Sequence, residues 1–60
     1  MNSDEEKIPK LFSFNETAEL LRISRRGLSN LVARGEIKRL KIGSVNKFEE
    51  REIMRFINSL

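Results

Sequence analysis

Arg25, Arg26, Ser29, Asn30 and Arg34 lie close together in the chain, and their side chains are the ones that hydrogen-bond to nucleic acids. A guanidinium can grip guanine O6 and N7 with two bonds, and an asparagine amide can do the same at adenine N6 and N7. Interleaved with them, Leu28, Leu31 and Val32 recur at i, i+3 and i+4, the spacing of one helix face. At about 100° per residue, Arg26, Asn30 and Ala33 fall opposite that apolar face, with Ser29 and Arg34 on the flanks. Ser24 is suited to cap the start of such a helix, and Gly35 to end it in the left-handed conformation. The small neighbours would let the outer face approach another surface closely. Two readings fit: a DNA recognition helix, with Ser24 and Arg25 at its first turn, or an ordinary solvated helix face.

The surrounding elements favour the first. Ser13-Phe14-Asn15-Glu16 is a capping box, so an earlier helix should begin just after Ser13. Phe14, Ala18 and Leu21 form its inward stripe, with Leu20 on the flank, and Glu16 and Glu19 face outward. It should end near Arg22, and Ile23 then leads to Ser24, leaving about three residues of turn. Two helices joined so tightly must cross steeply, which is the helix-turn-helix arrangement. Beyond Gly35, Ile37, Leu40 and Ile42 alternate with Lys38, Arg39 and Lys41. Gly43-Ser44 supplies a turn, and Val45 to Phe48 a returning strand. The hairpin should pack Ile42 and Phe48 on the helices and carry Lys38, Arg39, Lys41 and Lys47 on its open face. Such a wing could lie along phosphates or in a minor groove. For Lys38 and Arg39 a merely solvated hairpin competes with that role; Lys41 and Lys47 flank the turn and suit the contact better. A last helix over Glu49–Leu60 carries Ile53, Phe56, Ile57 and Leu60 on one stripe and three glutamates in its first turn. It should close the core against the first helix, although Leu60 could instead serve a contact between protomers. The fold class expected is mainly α with a small β-hairpin: a winged helix-turn-helix of three helices and a two-stranded wing.

Composition narrows the chemistry. The chain has 60 residues, no cysteine and no histidine, so neither disulfides nor a Cys/His metal site is available. The formal net charge is +3, yet residues 22–47 carry eight Lys/Arg against Glu36 alone. A basic middle segment from which carboxylates are excluded points to a polyanion. No apolar run approaches the roughly 20 residues of a membrane span. Asp4, Glu5 and Glu6 near the start exclude a secretory leader, and a cytoplasmic location is the expectation. Residues 1–10 read as a flexible tail and residues 11–60 as the domain. There is no catalytic constellation and no phosphate-binding glycine loop, so neither an enzyme nor a cofactor is expected. The competing class is a protein-interaction module of the antirepressor kind, using the basic face on an acidic partner.

From Phe12 through Leu21, then Ile23 through Leu28, the sequence resembles excisionase-type winged-helix domains, which are related to MerR-type regulators. Arg34-Gly35-Glu36-Ile37, Ile42-Gly43, Phe48-Glu49, Ile53 and Phe56-Ile57 continue the likeness nearly to the end. The resemblance implies that the second helix enters the major groove of double-stranded DNA and the hairpin meets the minor groove or backbone. It further implies cooperative self-association on DNA and an integrase or recombinase as partner, as for factors that bend attachment-site DNA during excision of a mobile element. Other members are small transcriptional repressors or regulators. The chain departs from the pattern at Gly27, often a threonine, where glycine weakens the helix but could allow close backbone approach to DNA. It departs also at Ser29 and Asn30, often bulky or basic. The wing tip Ser44-Val45-Asn46 lacks the usual arginines, which leaves Lys41 and Lys47 as the expected phosphate contacts.

Overall fold

The computed structural model describes residues 10–60, so the expected tail lies, Lys10 apart, outside the described residues. The elements run β1 (Leu11–Ser13), α1 (Phe14–Leu21), α2 (Arg25–Ala33), β2 (Leu40–Ile42), β3 (Val45–Glu49) and α3 (Glu50–Asn58). Each of the first two helices starts where its side chains can satisfy free backbone groups. Ser13 Oγ accepts from the Glu16 N–H at 3.1 Å and Glu16 Oε1 accepts from the Ser13 N–H at 2.9 Å, completing the capping box. Thr17 is buried without loss because its hydroxyl donates to the Ser13 carbonyl at 2.8 Å. Arg22 ends α1 in the left-handed conformation (φ 58°), and only Arg22, Ile23 and Ser24 separate the two helices. Ser24 Oγ then accepts from the Gly27 N–H at 3.0 Å to start α2. Its end is a Schellman turn: Gly35 (φ 75°) donates to the Val32 carbonyl and Glu36 to that of Leu31, both at 3.0 Å.

The hairpin is present, and β1 adds a third strand that the sequence pattern did not announce. The antiparallel order is β1-β3-β2, with Phe12 opposite Phe48 and Ile42 opposite Val45. Gly43 and Ser44 form the two-residue loop; Gly43 takes φ 63° and Ser44 no positive φ, the pattern of a II′ turn. That tight register corrects one expectation. Phe48 is fully buried, and side chains alternate along a strand, so Val45, three positions away, must face outward. Its partner Ile42 faces outward with it and is 51% exposed rather than packed on the helices. The place expected of Ile42 is taken by Ile37, which is buried just ahead of β2.

Ala18, Leu28, Ile37, Phe48, Ile53 and Phe56 form the core, with Phe12, Phe14, Leu21, Leu31 and Val32 packed around it. α3 joins this core through half of its expected stripe. Ile53 and Phe56 are buried, whereas Ile57 is 41% exposed and Leu60, past the end of the helix, 88%. Helix and sheet are small, and the last turn of α3 runs beyond the core they enclose. α3 is also tied to the approach to β2. Glu52 Oε2 accepts from the Lys38 N–H at 2.9 Å and from Arg55 Nη2 at 2.7 Å, and Arg55 Nη2 donates to the Glu36 carbonyl at 2.8 Å. The hydrogen bond from Arg55, followed by that from Lys38, lowers the Glu52 pKa against the opposing effect of burial. A folded-state pKa below the unfolded one stabilises the fold above the ordinary glutamate value, and the effect is lost as pH falls through the lowered one. Glu52→Gln should therefore lower urea stability at neutral pH, and the gap to wild type should narrow in acid; a constant gap would show that ionisation of Glu52 is irrelevant.

Candidate nucleic-acid interface

α2 is seated by Leu28, fully buried, with Leu31 and Val32 half-buried beside it. Seating that side leaves Arg25, Arg26, Ser29, Asn30, Ala33 and Arg34 exposed, as the helical spacing predicts. The exposed surface has two borders. Arg25 and Ser29, one turn apart, edge toward the hairpin, Asn30 and Arg34 lie on the far side, and Arg26 stands between. Arg25 sits over the Phe14 ring, 5.9 Å from its centroid, and Phe14 in turn meets Phe48 at 6.0 Å. Arg34 is paired with Glu36 at 2.9 Å, but both are well exposed, and such a pair is weak enough to yield to a phosphate. The Ser24 hydroxyl accepts from Gly27, and its own proton remains available to donate.

The hairpin does not present its basic residues on one open face. Lys41 lies opposite Asn46, on the face that carries Phe48, whereas Lys47 lies between Ser13 and Leu40 on the other. The outward face of the wing is apolar as much as basic, since Leu40, Ile42 and Val45 share it with Lys47. The cause is again the burial of Phe48, which fixes the side taken by every other residue of β3. Lys38 and Arg39 precede β2. The Lys38 backbone is held by Glu52, and Arg39 Nη1 donates to Asn46 Oδ1 at 3.1 Å.

Between α2 and the wing runs an open cleft lined by Phe14, Asn15, Arg25, Ser29, Ser44 and Asn46, among others. Asn15, Ser44 and Asn46 were not among the residues the sequence marked as ligand contacts. Asn46 was within reach of it: two residues before a core aromatic in a strand, it had to share that aromatic's face. Charge follows the same geography. Cations are concentrated in residues 22–47, whereas Glu16 and Glu19 lie on α1 and Glu49, Glu50 and Glu52 at the start of α3. Among the described residues no helix is long and apolar enough to cross a membrane.

A family model described as a helix-turn-helix domain matches residues 11–60. Comparison with curated proteins and with solved structures returned no match.

Gly27 behaves differently from the expectation that it opens α2 to close approach. A Cβ built there would point back at the turn, 3.4 Å from Ser24 Oγ and 3.6 Å from Ile23 Cβ, both ordinary contacts. The missing side chain thus faces the protein, and the helix carries the cost of glycine, about 1 kcal/mol relative to alanine. Gly27→Ala should raise the melting temperature by several degrees, as a gain of about 1 kcal/mol does in so small a domain. Its affinity for duplex DNA should stay within about twofold of wild type; a stabilised variant that binds much more weakly would restore the close-approach role.

Proposed function

The chain belongs to the helix-turn-helix domain family, and from that premise we propose an excisionase-like architectural factor that bends DNA through neighbouring bound copies. Membership makes this a DNA-binding domain with DNA as its partner. In the proposed arrangement α2 enters the major groove, where Arg26, Asn30 and Ser29 read base edges. Ser24, Arg25 and Arg34 flank them toward the backbone. Lys38, Arg39 and Lys41 lie along phosphates beside the wing, and Lys47, on the outward face, contributes less. One observation carries the reading. Arg26, Ser29 and Asn30 share an exposed face, and none of their side chains hydrogen-bonds to another described residue. Groups with base-reading chemistry are thus left available by a helix whose other side is locked into the core.

The finer role draws on the likeness of Phe12 to Leu21 and Ile23 to Leu28 to excisionase-type domains. It draws also on footprint: one module of this size covers about 600–1,000 Å² of protein surface, the low end for specific recognition. Adjacent copies would supply the remaining affinity, and an integrase acting on the bent site is the partner this role implies. Site selection from a random duplex pool with wild type, Arg26→Ala and Asn30→Ala tests the reading helix. Each variant should lose about 1–3 kcal/mol at its own base pair and little elsewhere. Unchanged preference in both would remove α2 as the reader. On fragments carrying repeated selected sites, cooperative complexes with bent DNA support the architectural role, whereas independent filling without a bend assigns a small transcriptional regulator instead.

A further inference from the structure

We propose that the cleft between α2 and the wing seats a backbone phosphate of the bound duplex, and that the Asn46 amide donates to it. The proposal rests on the DNA-binding reading above and assigns to that site a residue outside the recognition helix. The orientation of the amide follows from its partner. Arg39 reaches Asn46 at 3.1 Å, and a guanidinium has donors only, so the amide atom facing it must be the oxygen. The NH₂ group of Asn46 therefore points elsewhere, with its donors not used by Arg39. Asn46 is half-buried and lines the cleft, on the same strand face as Phe48.

The rest of the cleft has matching chemistry. Arg25 is the charged residue of the lining and no carboxylate lies in it; Ser29, Ser44 and Asn15 add further donors. Arg25 lies over the Phe14 ring at 5.9 Å, and Phe14 meets Phe48 in a tilted contact at 6.0 Å. A phosphate accepts only and carries charge, which suits polar side chains able to donate beside one guanidinium with no carboxylate to oppose it; Phe14 and Val45 complete the lining. Position agrees with this. The cleft has α2 on one side and the wing on the other, where a backbone strand flanking a groove entered by α2 would have room to pass. Asn46 would then fix the register of the domain on DNA without reading sequence.

Asn46→Asp separates this role from a structural one. The carboxylate still accepts from Arg39, so the wing stays tied, but both N–H donors are lost and a negative charge faces the phosphate. Asn58→Asp, at the end of α3, makes the same change in net charge far from the cleft and serves as control. Binding to a selected duplex and to a scrambled one should fall at least about tenfold further for Asn46→Asp than for the control, equally on both. Equal affinity of the two variants would overturn the proposal, and so would a loss confined to particular base pairs. Failure of wild type to bind any duplex in a salt-dependent manner would instead remove the DNA-binding reading itself. Should Asn46→Asp not fold, single methylphosphonate substitutions decide: at one phosphate, neutralisation should weaken wild type and leave Asn46→Ala with no additional loss. Strictly additive losses at every phosphate would overturn the assignment.

Discussion

Burial of Phe48 in the central strand is the constraint on which the remaining arrangement depends. Its ring is fully enclosed, and it stands opposite Phe12 and against Phe14. Because strand side chains alternate, this one anchor sends Asn46 toward the helices and Val45 and Lys47 away from them. The two-residue turn at Gly43-Ser44 then carries the same parity into β2, putting Lys41, still exposed, on the face of Phe48 and Ile42 on the other. Phe14, packed on Phe48, begins α1 and supports Arg25 at the start of α2. A single buried aromatic thus relates the wing, the first helix and the front of α2.

So small a domain buries only about 60% of the surface its unfolded chain exposes, so local devices matter alongside the core. The capping box at Ser13, the serine cap at Ser24 and the Schellman turn at Gly35 each satisfy backbone groups without needing core volume. The Glu52–Arg55 pair does the same for the segment leading into β2. These devices hold the backbone on either side of α2, so its outer face needs no structural side chains. That freedom is what leaves Arg26, Ser29 and Asn30 available for a ligand.

The helices, the helix-turn-helix link and the exposed polar face of α2 were legible in the sequence because they are local. Capping residues, helical periodicity and a three-residue turn are encoded within a few positions of one another. The third strand was not legible: three residues, Leu11 to Ser13, give no measurable alternation, and β1 exists only because β3 lies beside it. The hairpin was placed correctly, but the side taken by Ile42 was not. Apolar content suggested burial, whereas register through the turn from Phe48 decides it. The end of α3 was overextended because Ile57 and Leu60 continue the helical spacing past the point where the core can cover them. Of the cleft, Arg25 and Ser29 were recognisable by type. Asn15, Ser44 and Asn46 join them only through tertiary placement.

The central claim, that α2 and the cleft-facing side of the wing form the DNA surface, is open to amide chemical-shift mapping. Titrating the isotope-labelled protein with a selected duplex should move the amides of Ser24 to Arg34, and those of Lys41 and Ser44 to Asn46. Amides in α3 from Ile53 to Asn58 should stay largely still. Perturbations concentrated on α3 or on the outer surface of α1 around Glu19 and Leu20, with α2 unaffected, would contradict the account.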